Sequence, residues 1–227
     1  MSSLYYPILR RQDLKNYYKK RGGGGFYATY NCKANYDNIS IDCKYRCVYC
    51  DAHVDECGGE NFSLDHFRPT DIFGDKFNGI LKTHPFNLHL SCQKCNVLKT
   101  NDWKGCKTTT NGVTYISSQG YIDRFEDDIN KYMIVDRNGF VKCINKNGPA
   151  KYMIAKMLLN RTNRVYIRKR REVKYKSAII YEMLIKNQRK LINDIENNSL
   201  SIEEIKIEMK KLQNLFEKFN KLNLISL

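Results

Sequence analysis

Two kinds of residue in this sequence are equipped for chemistry, and they lie together. Cys47-Val48-Tyr49-Cys50 and Cys92-Gln93-Lys94-Cys95 are two C-x-x-C pairs. Each presents two sulfurs from one tight turn, so together they complete a tetrahedral four-thiolate set of the kind that holds structural zinc. A redox C-x-x-C is the rival reading, but that chemistry expects a single motif in a βαβ setting. With sulfur at every position the zinc has no place for water or substrate, so it holds structure and the chemistry must come from elsewhere. Between the pairs run Ser63-Leu64-Asp65-His66-Phe67-Arg68-Pro69 and Asn87-Leu88-His89-Leu90-Ser91, and just after the second pair come Asn96 and Lys99. Asp65 supplies a hard oxygen ligand suited to Mg²⁺, and His66 a base that is neutral near pH 7. Asn96, directly after the zinc-fixed Cys95, offers a second oxygen from the start of a helix. An exposed Asp-His dipeptide alone carries little weight; the constellation as a whole is not an accident.

The elements around these residues can be read from pattern. Residues 1–31 hold a short amphipathic stretch from Leu9 to Lys20 and then four glycines at 22–25, which favour a flexible joint because they cannot continue a helix cheaply. Residues 32–106 carry most of the cysteines and all four histidines, and form the chemical domain. Residues 107–148 are a connector with a hairpin, Met133 to Ile144, turning around Arg137-Asn138-Gly139. From Pro149 to 227 the period becomes helical: one long segment runs from about Val165 to Glu196, Asn197-Asn198-Ser199 breaks it, and Ser201 with Glu204 forms a capping box for a last helix. These two helices are expected to pair antiparallel or to dock a partner protein. The fold class is therefore α+β.

Composition sets outer bounds. The 227 residues carry 39 Lys plus Arg against 24 Asp plus Glu, a net charge of +15. Such a surplus favours polyanionic partners, since each neutralised phosphate releases counterions; the alternative reading of part of it is the codon usage of an AT-rich genome. No apolar run is long enough to cross a membrane, and the N-terminus lacks the pattern of a signal peptide, so a cytoplasmic location is expected. There, clustered cysteines serve metals better than disulfides. Cys32, Cys43, Cys57, Cys106 and Cys143 lack paired spacing and are read as free or buried thiols.

The order C-x-x-C, Asp-His-x-x-Pro, Asn-Leu, C-x-x-C-Asn-x-x-Lys, over roughly residues 43–102, resembles the zinc-containing HNH (ββα-metal) endonuclease family. It departs from the commonest pattern at Asn96, where many members carry histidine; the amide still offers an oxygen, so the metal preference is what the change bears on. The resemblance implies a small ββα-metal domain with four-cysteine zinc knuckles, in which His66 is the general base. Asp65 and Asn96 hold one Mg²⁺ or Mn²⁺, and Asn87 fixes the loop that bears the base. A narrower likeness, through Asp65–Pro69, Leu90–Asn96 and Leu159-Asn160-Arg161, is to the HNH component of Septu-type antiphage defence systems, which acts with an ABC-type ATPase.

Arg68 and Lys99 are candidates for phosphate contact. Arg161, Arg164, Arg168 and Arg171 share one helical face and are read as a nucleic-acid track, with a solvated face or an acidic partner as the other reading. His53, His84 and His89 are more often structural than catalytic, and His89 should point away from any core that Leu88 and Leu90 enter. The expected activity is cleavage or nicking of DNA. The same chemistry on RNA such as tRNA, and a zinc-stabilised nucleic-acid-binding module without catalysis, are the alternatives.

Overall fold

A computed structural model describes residues 6–19 and 25–226. Most of the expected glycine joint, residues 22–24, lies outside the described residues. The chain divides into two compact units, Tyr5–Ile167 and a second that contains Arg168–Leu227.

In the first unit, α1 (Leu14–Tyr17) is a single turn, capped where the Asp13 carboxylate accepts from the amides of Lys15 and Asn16. Helix α2 (Lys33–Asp42) follows and buries Ile39 against the strands. Strand β1 (Phe62–His66) leads through the short α3 (Thr70–Phe73) and a loop to β2 (Leu88–Cys92), which runs directly into α4 (Gln93–Lys99). β1 and β2 pair antiparallel, with Leu64 opposite Leu90, Asp65 opposite His89 and His66 opposite Leu88. The alternation of β1 places Ser63 and Asp65 on one face and Leu64 on the other.

Two small ribbons complete this unit: β3 (Tyr115–Ile116) with β4 (Gln119–Gly120), and β5 (Met133–Val135) with β6 (Val141–Cys143). The second is the expected hairpin, closed by Gly139 at φ 83°. Helix α5 (Ala150–Lys156) packs on β6, and Asn160 pairs with both backbone groups of Val141, as a neighbouring strand would. Ala150, Met153, Met157 and Leu159 are fully buried in the same core as Leu88, Leu90, Phe67 and Trp103. α5 and the start of α6 (Thr162–Glu196) therefore belong with the ββα element, where the sequence grouped them with a helical C-terminal region.

The second unit holds the rest of α6 and α7 (Ile202–Ser226). Ser201 and Glu204 form the capping box: the Ser201 amide donates to the Glu204 carboxylate at 2.8 Å, and the Glu204 amide to Ser201 Oγ at 3.3 Å. Tyr181 and Phe219, nearly equidistant from the turn, meet with ring centroids 5.8 Å apart, so the two helices run antiparallel. No helix among the described residues is long and apolar enough to cross a membrane.

Candidate functional site

The first knuckle is a tight loop after α2. The Cys47 amide donates to Ala52 O and the Asp51 amide to Cys47 O, both at 2.9 Å, while Asp51 takes a positive φ of 62°, a conformation Asp tolerates. The Val48 amide donates to Leu90 O at 3.0 Å and ties the loop to β2. The second knuckle lies at the junction of β2 and α4, with Cys92 as the N-cap of that helix. The four sulfurs are buried and all lie within 4.8 Å of one another. A tetrahedron with Zn–S of about 2.3 Å has edges of about 3.8 Å, and Cys50 Sγ and Cys92 Sγ stand 3.8 Å apart. The quartet can hold a zinc ion.

Burial and hydrogen bonds among the sulfurs hold the Cys47 thiol well above its ordinary value. Burial pushes Cys50 up too, but hydrogen bonds from its three neighbours and the Arg164 charge carry it below. All four could be thiolates together only with a cation among them.

Asp65, His66 and Asn96 line one open cleft of about 310 Å³ together with Tyr30, Pro69 and Thr100. The His66 ring places Nε2 2.9 Å from the carbonyl oxygen of Lys82 and packs edge-on against Tyr30 at 4.4 Å. A carbonyl only accepts, so Nε2 carries the proton and Nδ1 the lone pair of the neutral ring. Burial lowers the His66 pKa, against the raising effects of the Lys82 carbonyl and Asp65, and so keeps the ring neutral at pH 7. Asn96 commits its amide nitrogen to Ser63 Oγ at 3.1 Å, so its carbonyl oxygen is the atom it has to offer a cation. Asn87, 4% exposed, holds the loop after β1 at both ends: its oxygen accepts from the Arg68 amide at 2.8 Å, and its nitrogen donates to Arg68 O and Leu81 O.

Asp65 is the most constrained member. Its carboxylate accepts from the Tyr49 hydroxyl, and Lys99 Nζ stands 3.3 and 3.1 Å from its two oxygens while donating to His66 O at 2.8 Å. Burial still raises the Asp65 pKa, outweighing Lys99 and Tyr49. Tyr49 lies inside the first knuckle, so the cysteine quartet and the carboxylate are one hydrogen bond apart. Nothing in residue spacing signals that contact.

Lys99 is thus not a phosphate contact: it is fully buried, and its ammonium is spent on Asp65 and the His66 backbone. Replacing it with methionine leaves a buried carboxylate without its cation. The expected cost is about 3–5 kcal/mol, read from chemical denaturation. A loss under about 1 kcal/mol would show the pair to be incidental.

The other expected nucleic-acid contacts are also turned inward. Arg68, 7% exposed, donates to Gly112 O at 2.7 Å and lies over the Trp103 ring. Arg161 and Arg164 reach the cysteine sulfurs, Arg168 is 3% exposed, and Arg171 is half-buried and engaged within the chain. Arg161 lies just before α6, and Arg164 and Arg168 on the helix are buried, so these arginines do not form an exposed basic track.

His89 points opposite to Leu88 and Leu90, as alternation requires, yet that face is covered too. The ring is 1% exposed, stacked on Phe67 at 4.5 Å and set against Phe125 at 5.2 Å. Neither ring nitrogen has a hydrogen-bond partner, and Asp123 Oδ1 is 3.8 Å away. Burial, with Arg11, Lys99, Arg68 and Arg124 nearby, holds its pKa well below the ordinary value. As pH falls below about 6.5 the unfolded chain takes up a proton that folded His89 refuses, so stability declines by about 1.4 kcal/mol per pH unit from this group. His89→Gln should flatten that limb of the stability–pH curve; an unchanged slope would assign it to other groups.

No protein-family model matches the chain, and no curated protein or solved structure does either.

Proposed function

We propose that the ββα element is of the HNH type and that the protein is a metal-dependent endonuclease hydrolysing a phosphodiester bond of DNA. The observation that carries this reading is the meeting of Asp65, His66 and Asn96 in one cleft, on a strand pair and helix whose β2–α4 junction the cysteine quartet ties to the loop of Cys47 and Cys50. Zinc held by Cys47, Cys50, Cys92 and Cys95 clamps the ends of the motif and so fixes base and ligands at preorganised distances.

The oxygens of Asp65 and Asn96 fit Mg²⁺ or Mn²⁺, hard ions that keep several waters and share carboxylates with substrate phosphates. Asp65 has lone pairs left beyond those facing Lys99 and Tyr49, but Lys99 already balances its charge, so the ion is expected to bind tightly only with the phosphate present. When bound, the ion stabilises charge on the leaving 3′ oxygen. His66 Nδ1 takes a proton from water. The water oxygen bonds to phosphorus in line with the 3′ oxygen, and the P–O3′ bond breaks. The leaving oxygen takes a proton from solvent, giving a 5′-phosphate and a 3′-hydroxyl, while His66 returns its proton to solvent. Lys82 O holds the imidazole in the tautomer this requires, and Asn87 holds the loop behind it.

Incubation with supercoiled plasmid and with total tRNA, in Mg²⁺ and in EDTA, tests this. Cleavage of plasmid in Mg²⁺ alone supports the reading; cleavage of tRNA alone moves the same chemistry to RNA. The further reading, an effector subunit of an antiphage complex acting with an ABC-type ATPase, is supported by the sequence likeness at 65–69, 90–96 and 159–161. One observation favours a non-catalytic nucleic-acid-binding module instead: Lys99 faces both oxygens of Asp65, where a cation would bind. Binding without cleavage of either polymer would establish that alternative.

A further inference from the structure

Arg161, just before α6, and Arg164, in its first turn, are turned onto the sulfur quartet. Arg164 is 1% exposed, and its Nε stands 3.3 Å from Cys50 Sγ while its Nη2 stands 3.1 Å from Cys92 Sγ. The same guanidinium is paired with Glu60, whose other oxygen accepts from the Lys94 amide at 2.9 Å. Arg161 sends Nη2 to Cys95 Sγ at 3.4 Å and to Cys92 Sγ at 3.7 Å, and its Nη1 donates to Met157 O at the end of α5. Three of the four sulfurs therefore face a guanidinium. A zinc ion on four thiolates is a doubly negative centre, and burying it unopposed is costly. A planar guanidinium is the cation whose fork fits two sulfurs at once, and it stays charged at any ordinary pH.

From this geometry we infer that Arg161 and Arg164 belong to the zinc site itself: they neutralise the tetrathiolate, slow the loss of the ion, and fasten the start of α6 to it. This rests on the reading of the quartet as a zinc centre. Glu60 acts one step further out by orienting Arg164, and so retains one negative charge beside the site. Outer partners of metal ligands commonly change metal affinity by about 10–100-fold.

Zinc content and the rate of zinc transfer to a chromogenic chelator test the inference on the purified full chain. Wild type should hold one zinc per chain and release it slowly. Arg161→Met and Arg164→Met should each release it about tenfold faster or more. Arg164→Lys, which keeps charge but loses the fork, should fall between Arg164→Met and wild type. Arg170→Met, at an exposed position, should match wild type. If Arg164→Met does not fold, Arg161→Met and Arg164→Lys decide. Release rates within twofold of wild type in zinc-loaded variants overturn the inference alone. Wild type without zinc overturns the reading of the quartet, and the inference with it.

Discussion

Cys92→Ser is expected to abolish the cooperative melting of the Tyr5–Ile167 unit, and a strong chelator should do the same to the wild-type protein. The ion's binding free energy is folding free energy, about 10–16 kcal/mol in small zinc domains, against a total stability of about 5–15 kcal/mol for an ordinary domain. The effect reaches beyond the knuckles because Cys92 ends β2, caps α4 and faces both Arg161 and Arg164. Its loss loosens the strand under His66 and the anchor of α6 together. Circular dichroism with zinc quantification is the check: a Cys92→Ser protein that melts within a few degrees of wild type would remove zinc from the account of the fold.

If the proposed nuclease reading holds, His66→Ala is expected to have the largest effect on activity, a loss of about 10²–10⁴-fold in cleavage rate, because an alanine cannot take a proton from the attacking water. Stability should hardly move. The ring is half-buried and makes one hydrogen bond, to Lys82 O, so about 1 kcal/mol is at stake. Zinc content and nucleic-acid affinity should be unchanged. A purely binding protein would not notice the substitution in a cleavage assay, so a rate within threefold of wild type under single-turnover conditions would exclude His66 as the base.

Much of the fold is legible where the signal is local. The two C-x-x-C pairs fix the positions of the sulfur quartet, Asn138-Gly139 marks the hairpin, and Ser201 with Glu204 marks the start of α7. The candidate site is legible to the same depth: Cys50 and Cys92 bracket Asp65 and His66, and Asn96 follows directly on the second pair. What covers a face is a different matter. Periodicity tells that His89 opposes Leu88 and Leu90, but the Phe125 segment that seals that side comes from far along the chain. Likewise the spacing of Arg161, Arg164 and Arg168 suggests one exposed basic face, and only tertiary contact reveals that Arg161 and Arg164 meet the sulfurs. Lys99 and Tyr49 converge on Asp65 from α4 and from the first knuckle, a long-range pairing that leaves no trace in spacing. The net charge of +15 misleads in the same direction: several of these cations are spent inside the chain on carboxylates, carbonyls and thiolates.

The most direct measurement is crystallographic: the zinc-loaded chain with a short DNA duplex and Mn²⁺, its anomalous signal recorded at the manganese edge. A manganese peak between Asp65 and Asn96, with a phosphate on it and His66 Nδ1 facing that phosphate, is the predicted result. A cleft with DNA bound but no manganese, and with Lys99 still facing both oxygens of Asp65, would contradict the nuclease reading.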